Sequence, residues 1–255
     1  MVYNCYRLIV GALSLQIALA ARSCSNGVSL SFASSSADSF RVTYNNQNVQ
    51  IQSTTYSFKN YKSPYSHNVA LCYLKPYTVY TYSIEDKFKA SFRSLPPVGE
   101  ETELGIVGDF VFQDKSINNL LKPYNSKNSQ ALLVVRDWPY PNGDQSKWDK
   151  WFNLQAPTFS KLPVTGINGN HEDTDKEEKY TTYLNRMPGP ISEENKNAFR
   201  TYYSADIGLV HAVFLDDYVG ALHKVGGQNW LNERNLQLQW LKVTLHRWIA
   251  LRLLT

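Results

Sequence analysis

The chain has 255 residues, of which 43% are hydrophobic and 19% are charged, and this composition is that of a globular protein, not of a disordered or fibrous one. Its length suits one large domain, or a small domain followed by a medium one. The formal net charge of +4 comes from lysines and arginines spread along the chain, without a basic run. We therefore expect no nucleic-acid partner.

The first twenty residues have the pattern of a secretory signal peptide. Arg7 precedes a mostly apolar segment at 8–20, which ends in the small-residue cleavage site Ala-Leu-Ala. A short membrane anchor is the alternative, but the segment is shorter than the roughly 20 residues that a span needs, and it contains Ser14 and Gln16. We predict a signal peptide at 1–20, no stable membrane anchor, and a secreted or lumenal protein of the secretory or lysosomal pathway.

Two cysteines would remain after this cleavage. Cys24 and Cys72 would then lie in a compartment that permits disulfides. Two cysteines do not prove a pairing, so a disulfide and two free thiols both stay open.

Residues 24–94 alternate between apolar and polar positions. The segments VSLSF, FRVTY, VQIQS, HNVALCYL and TVYTYSI are short, β-branched and aromatic, and Ser, Asn and Pro lie between them. This pattern predicts a small antiparallel β-sandwich. The segment SLPPVGEETE at 94–103, with two prolines and an acidic run, then predicts a linker or an edge.

After residue 104 the pattern changes to apolar strands that alternate with helices. LGIVG, ALLVVR and LPVTGING are compact runs suited to buried strands. Between the first two, KSINNLLKPY has helical spacing, and between the second and third, Asp144 is a candidate cap for a helix that buries Trp148, Trp151 and Phe152. Such alternation predicts a mainly parallel sheet.

A metal-binding type of side chain follows each of the three strands: Asp109, Asp137 and Asn170. Because ligands bind beyond the carboxyl ends of strands in open α/β sheets, we expect these residues to converge. Two carboxylates and an amide oxygen suit hard cations. Tyr140 follows Asp137 closely enough to reach the same ion, and a phenolate favours Fe(III). His171 follows Asn170 and could act as an acid or a phosphate contact.

Each of these residues taken alone also has a structural interpretation. An aspartate after a strand is commonly a turn or cap residue, and Gly-Asn is a common turn dipeptide. Tyr140 could be packing in a loop, and a single histidine is more often a structural hydrogen-bonding group. The functional interpretation depends on the whole set falling at successive strand ends.

The motifs at these positions resemble those of the purple acid phosphatases, which belong to the calcineurin-like metallophosphoesterases. The family blocks GDxG, GDxxY and GNH[DE] correspond to GDFV at 108–111, RDWPY at 136–140 and GNHE at 169–172. Val111 and Arg136 replace glycines of the family pattern, and the third block is intact. The similarity to sequences of this family extends from about residue 28 to residue 245.

The resemblance implies an α+β/β architecture. A fibronectin-III-like β-sandwich at 24–98 would precede an αββα metallophosphoesterase domain at 104–255 that is incomplete at its C-terminal end. It also implies a hydrolase of phosphate monoesters with Fe(III) and a second divalent metal, Zn, Mn or Fe. Asp109 and Tyr140 would bind Fe(III), Asp137 would bridge the metals, and Asn170 would bind the second metal. His171 would be the catalytic residue that contacts the substrate.

Three further histidines of the family, in its VxxH and GHxH blocks, have no counterpart in this sequence. WIAL at 248–251 could begin the strand that leads to the first of them, and the remaining histidines, His67, His211, His223 and His246, have no motif around them. We therefore expect weak metal binding and impaired or absent hydrolysis from this sequence. A phosphatase-like protein that binds without catalysis is the alternative. A phosphodiesterase or nucleotide hydrolase is less favoured, because Tyr140 and the sandwich oppose it.

Overall fold

The computed structural model describes residues 16–19, 27–35, 41–44, 47–49, 51–85, 88–110, 129–173, 177–187, 189–218 and 226–253. Its N-terminal part consists of short strands: β1 Gln16–Leu19, β2 Val28–Ser34, β3 Val42–Tyr44, β4 Gln47–Val49, β5 Gln52–Thr54, β6 Ser57–Phe58, β7 Tyr61–Lys62, β8 Tyr65–Leu71, β9 Val79–Ile84 and β10 Phe88–Arg93. Two four-stranded sheets result, in the orders β1-β2-β8-β5 and β10-β9-β3-β4, and β6 pairs with β7. Every pairing among these strands is antiparallel.

One hydrophobic core joins the two antiparallel sheets. Leu30 and Val69, from β2 and β8, pack in the same buried cluster as Val42, Tyr82 and Phe92 from the other sheet. Alternate residues of each strand face this core because successive side chains of a strand point to opposite faces. The period-two segments thus form strands, although VQIQS is divided between the end of β4 and the start of β5.

Strand β1 lies inside the predicted signal peptide. In the uncleaved chain its backbone pairs with β2, with Gln16 opposite Ser31 and Leu19 opposite Val28, and it forms one edge of its sheet. Cleavage after residue 20 would leave that edge of β2 to another partner. The signal peptide itself stays a prediction.

A three-stranded parallel sheet follows, as the apolar runs predict. Strands β11 Leu104–Val107, β12 Ala131–Val134 and β13 Val164–Gly166 pair in that order and in parallel. All four residues of β12 are buried, which is the pattern of a central parallel strand. The helix predicted at 115–124, and Val111, lie outside the described residues.

Helix α1, Ser146–Phe159, connects β12 to β13 and buries Trp148, Trp151 and Phe152 as predicted. The expected cap is wrong by one residue, because the N-cap is Gln145 and its side chain makes no capping hydrogen bond. Asp144 instead accepts hydrogen bonds from the Ser146 backbone N–H at 3.0 Å and from the Ser146 hydroxyl at 2.7 Å. It therefore still satisfies a donor of the first turn.

Two strands and three helices complete the described chain. Helices α2 Thr181–Arg186 and α3 Glu193–Asn197 precede the antiparallel pair β14 Tyr203–Ile207 and β15 Val210–Phe214, and α4 extends over Gln228–Leu253. The expectation of a strand starting at 248–251 is wrong, because these residues continue α4. No glycine or proline interrupts that segment, so nothing ends the helix. In the described part of the chain, no helix is long and apolar enough to span a bilayer.

The histidines that have no motif around them are structural or surface residues where the structure describes them. His67 is buried in β8, with its two ring nitrogens 2.8 Å from the hydroxyls of Ser34 and Ser53. His211 lies in β15, and His246 is exposed on α4. His223 and Cys24 lie outside the described residues. Cys72 is part of a disulfide, which rules out the alternative of a free thiol at this position, and the sequence leaves open whether Cys24 is its partner.

Arg186 of α2 joins the antiparallel sheets to the part of the chain that carries the parallel sheet. Its Nε donates to the Tyr56 hydroxyl at 2.6 Å, and its Nη2 donates to the Tyr61 hydroxyl at 2.5 Å and to Asp149 Oδ1 at 2.6 Å. Tyr61 in turn donates to Asp149 Oδ2 at 2.9 Å. The Arg186 side chain is only 5% exposed, so these partners replace the water that it loses on burial.

Candidate metal centre

The loops after β11, β12 and β13 meet at one edge of the parallel sheet, which we call the crest (residues 108–110, 135–142 and 167–173). The Asp109 N–H donates to the Arg136 carbonyl at 3.2 Å, and the Phe110 N–H donates to the Asp137 carbonyl at 2.7 Å. Asp109, Asp137 and Tyr140 have φ values of 52°, 47° and 54°. This left-handed region is unfavourable for residues other than glycine, so the packed loops must hold these residues there.

Asp137 lies at the centre of the crest. Its side chain is fully buried, and its Oδ1 accepts a hydrogen bond from the His171 backbone N–H at 3.1 Å. Its Oδ2 accepts from Arg136 Nε at 2.8 Å and lies 3.5 Å from the Tyr140 hydroxyl. A buried carboxylate needs such partners because ionisation away from water is costly.

Tyr140 connects the two carboxylates that the sequence predicts as metal ligands. Its hydroxyl donates a hydrogen bond to Asp109 Oδ1 and reaches toward Asp137 Oδ2. Burial, followed by the hydrogen bond to Asp109, raises the pKa of Tyr140. The phenol therefore keeps its proton until a stronger positive charge replaces that hydrogen bond.

Gly169 explains why the GNHE turn can lie against Asp137. A Cβ at Gly169 would lie 2.0 Å from Asp137 Oδ1 and 2.6 Å from the Asp137 backbone nitrogen. Any other residue would therefore push the third loop away from the second. The following residues, Asn170–Asp173, form a 3₁₀ turn that brings the His171 N–H to Asp137.

Glu172, the last residue of the GNHE block, is buried and joins the second and third loops of the crest by hydrogen bonds. Its carboxyl group accepts from the Trp138 N–H at 3.0 Å and from the Gly169 N–H at 2.8 Å. Complete burial raises its pKa to about 8, and the two donated hydrogen bonds oppose that rise. Trp138, also buried, donates its indole N–H to the Ile167 carbonyl at 2.9 Å.

Asn170 and His171 extend toward groups that the motif did not identify. Asn170 Oδ1 accepts from the Tyr218 hydroxyl at 3.3 Å. His171 Nδ1 lies 2.6 Å from Asn142 Oδ1, and its ring lies 4.0 Å from that of Tyr140 between centroids. Because an amide oxygen only accepts, His171 donates from Nδ1, and its Nε2 is left for a ligand.

Arg136 points into the crest. The sequence left open whether this side chain, in place of a glycine, turns toward or away from the carboxylates. Its Nε donates to Asp137 Oδ2 at 2.8 Å, and its Nη2 lies 3.5 Å from Asp109 Oδ1. Its pKa is raised, first by the hydrogen bond to Asp137 and then by the charges of Asp137 and Asp109.

The donor atoms at the crest fit a hard cation. The Tyr140 hydroxyl contacts both Asp109 and Asp137, so carboxylate and phenol oxygens meet here. The Asn170 amide oxygen instead contacts Tyr218, and only the backbone N–H of the next residue, His171, reaches Asp137. Among the described residues, no group of three or more His, Cys, Asp or Glu side chains could hold a metal ion. A metal at the crest would therefore depend on Tyr140 and Asn170 as well as on the aspartates.

Sequence reasoning missed Asn142 and Tyr218 and did not assign a role to Glu172. Glu172 stands in the GNHE motif, so the motif could have identified it. Asn142 begins an Asn-Gly dipeptide, which signals a turn but not a partner for His171. Tyr218 lies 48 positions after Asn170 and has no local signal.

The relatives of the chain are purple acid phosphatases. It is 27% identical over 224 residues to purple acid phosphatase 23 of Arabidopsis thaliana and 26% identical over 213 residues to purple acid phosphatase 1 of Ipomoea batatas. These matches cover 74% and 75% of this chain but 46% and 45% of the relatives. The chain thus spans about half the length of these curated relatives. It is also 25% identical over 217 residues to a phosphoenolpyruvate phosphatase of Allium cepa.

The fold comparison agrees with the sequence comparison. The structure of purple acid phosphatase PPD1 from yellow lupin, Lupinus luteus, superposes with a TM-score of 0.66 at 16% identity, over 77% of this chain and 43% of that one. No family model matches the sequence. The resemblance to the purple acid phosphatases that the motifs predict is confirmed by the named relatives.

Proposed function

We propose that this relative of the purple acid phosphatases is a hydrolase of phosphate monoesters with a dinuclear metal centre at the crest, and that its hydrolysis is impaired or absent because three family histidines have no counterpart in the present sequence. The observation that carries the proposal is the convergence of Asp109, Asp137 and Tyr140 from two successive strand ends. The names of the relatives support the phosphatase class.

The ligand residues have separate roles in this proposal. Asp109 and Tyr140 would hold Fe(III), Asp137 would contribute to both metal ions, and Asn170 would hold a second divalent ion, Zn, Mn or Fe. When bound, the two ions supply Lewis acidity and neutralise the charge of the phosphate. Gly169 and Glu172 keep the backbone of the third loop against Asp137, which supports a role for the neighbouring Asn170.

His171 is the proposed substrate contact. Asn142 lies at hydrogen-bonding distance from its Nδ1, and the Tyr140 ring lies beside it, so Nε2 is the ring nitrogen that remains to contact a phosphate oxygen. The histidine can then hold the oxygen of the leaving group or the phosphoryl group during cleavage.

A non-catalytic phosphate-binding protein is the second candidate function. Arg136 favours it, because its guanidinium already pairs with both carboxylates that would hold Fe(III). With Arg136 in this position, the crest offers a guanidinium and a histidine to a phosphate group, but Asp109 and Asp137 are not both free to bind a metal ion. It would bind a phosphate group without cleaving it.

The finer domain and compartment assignments are part of the same proposal. Residues 24–98 form a fibronectin-III-like domain, and 104–255 belong to an αββα metallophosphoesterase domain. Residues 1–20 direct the protein to the secretory pathway. The two antiparallel sheets on one core and the parallel sheet with its crest support these boundaries.

Hydrolysis of p-nitrophenyl phosphate at acidic pH tests the proposal. The chain is loaded with Fe(III) and Zn²⁺, and Asn170→Ala is expected to lower kcat/KM by about 100-fold or more, because a ligand of the second ion is lost. Asn60→Ala, on an exposed turn of the antiparallel sheets, is the matched control. Equal turnover in Asn170→Ala would remove Asn170 from the site. Phosphate binding without turnover in any metal condition would favour the second candidate.

A further inference from the structure

The guanidinium of Arg136 spans two carboxylates from two strand ends. Nε is 2.8 Å from Asp137 Oδ2, and Nη2 is 3.5 Å from Asp109 Oδ1. The planar, fixed fork of arginine suits such a pair better than the single ammonium group of lysine. Arg136 therefore supplies positive charge where Asp109, Asp137 and Tyr140 meet.

A positive charge at this place compensates chiefly the buried carboxylate of Asp137, since the side chain of Asp109 is 56% exposed. Asp137 is fully buried, and Asp109 lies close enough for both to share one phenol and one guanidinium. Two carboxylates in one site repel each other unless a cation neutralises them. Either a metal ion or the Arg136 guanidinium can supply this positive charge.

We propose that Arg136 is a built-in counter-ion that competes with a metal ion for Asp109 and Asp137. The inference rests on the proposed function, because it concerns the same ligands. Asp137 Oδ2 is the atom of direct competition, since Arg136 Nε occupies its hydrogen-bonding side. The guanidinium would have to leave Oδ2 before this oxygen could hold a metal ion. The Arg136 side chain is 48% exposed, so it can withdraw into water without breaking the core.

Metal affinity of Arg136→Gln tests the competition. Glutamine keeps a polar donor of similar reach but carries no charge. We expect isothermal titration with Zn²⁺ alone and with Mn²⁺ alone to show at least about tenfold tighter binding than in the unsubstituted chain, because no cation must be displaced. Arg136→Lys, which keeps the charge and loses the fork, should lie between the two. Arg93→Gln is the matched control, because the side chain of Arg93 at the end of β10 is exposed.

The melting temperature without metal is a second readout that an incidental surface arginine would not change. Arg136→Gln should melt lower than the unsubstituted chain, because Asp137 then has less compensation. Adding Asp109→Asn should recover part of the loss, because it removes the repelling charge. Added Zn²⁺ should raise the melting temperature more in Arg136→Gln than in the unsubstituted chain.

The outcomes separate this inference from the proposed hydrolysis. Equal or weaker metal binding in Arg136→Gln, an equal gain in Arg93→Gln, or no metal binding in any variant would overturn the competition. Tighter binding in Arg136→Gln without phosphatase turnover would support the competition and contradict hydrolysis. Turnover that does not change on Arg136→Gln, with unchanged metal affinity, would contradict the competition alone.

Discussion

At the scale of single residues, the crest is built from conformations that most side chains avoid. Asp109, Asp137, Tyr140 and Asn142 all have φ between 47° and 54°. A non-glycine residue in this region costs about 1 kcal/mol or more, although Asn and Asp tolerate it best. Four such residues lie within one small region. This is expected where the direction of the side chains matters for function and the strain of the backbone is tolerated.

Asn142 provides a prediction at this scale, because its side chain and its backbone can be tested separately. Both Asn142→Gly and Asn142→Ala remove the acceptor for His171 Nδ1, and we expect each to weaken binding of inorganic phosphate by roughly three- to tenfold through loss of one hydrogen bond. Only Asn142→Ala adds strain at φ 49°, so it should also lose about 1 kcal/mol of unfolding free energy relative to Asn142→Gly.

Calorimetric titration with phosphate and urea unfolding give the two quantities for the Asn142 variants. A loss of phosphate affinity confined to Asn142→Ala would mean that loop conformation, and not the contact with His171, is responsible. Gly143→Ala, at φ 86° with open space around it, is the control for strain without a lost acceptor.

At the scale of elements, Asp216 joins the end of β15 to the crest and to α4. Its carboxyl group accepts from Thr201 Oγ1 at 2.9 Å, Asn168 Nδ2 at 3.3 Å and the Tyr218 N–H at 2.9 Å. The Gln237 side chain of α4 makes two hydrogen bonds with the Asp216 backbone, at 2.8 Å and 3.1 Å. Through Tyr218, this junction reaches the side chain of Asn170.

The pKa of Asp216 predicts part of the pH dependence of stability. Burial raises this pKa from 3.8 to about 6, so the folded state binds the proton more tightly than the unfolded state. The contribution to stability is complete below about pH 4 and is lost as the pH rises through about 6. We expect Asp216→Asn to remove about 2–3 kcal/mol of this decline between pH 4 and pH 6.5 in urea unfolding.

The comparison with Asp216→Asn separates the contribution of Asp216 to the pH dependence of stability from that of Glu172. The raised pKa of Glu172 makes stability fall with rising pH as well, over a window that extends to about 8. Glu193→Gln, on exposed α3, should leave the pH profile unchanged. Identical slopes in the unsubstituted chain and in Asp216→Asn would show that Asp216 titrates as it does in the unfolded chain.

The sequence predicted the parts of the site that depend on periodicity. Asp109, Asp137 and Asn170 follow apolar runs, and the rule for strand ends in a parallel sheet is sufficient to bring two of them together. The direction of Arg136 and the partner of His171 depend on loops in the left-handed region, which no repeat period reveals. The family pattern predicts a strand at 248–251, whereas the uninterrupted helical composition of 228–253 continues α4 through these residues.

At the scale of the whole molecule, a few polar contacts hold the antiparallel sheets against the rest of the chain. Arg186 with Tyr56, Tyr61 and Asp149 forms one such contact, and Tyr82 donates to the Ser160 carbonyl at 2.9 Å to form another. Ala156 of α1 packs against the core of the antiparallel sheets. The two parts are therefore expected to unfold together.

The substitution Arg186→Met tests how much the contact of Arg186 with Tyr56, Tyr61 and Asp149 contributes to stability. The variant keeps the length of the side chain but leaves Asp149 and two tyrosine hydroxyls without their buried donor, so we expect a loss of about 3–5 kcal/mol in unfolding free energy. Arg234→Met is the matched control, because its ion pair with Asp217 is exposed and contributes about 1 kcal/mol at most. Equal losses of unfolding free energy for the two substitutions in guanidinium unfolding would show that the contact of Arg186 contributes little to stability.

The tryptophans beneath the crest give the protein an optical signature. Trp138 and Trp151 lie 5.8 Å apart between ring centroids at 71°, and Trp148 and Trp151 lie 6.4 Å apart at 79°. Electronic transitions of indoles that are close together and nearly perpendicular couple, and this coupling produces strong circular dichroism. Because the Trp138 backbone is bound to Glu172 and its indole to Ile167, events at the crest will be visible in the chain's own aromatic spectrum without any added label.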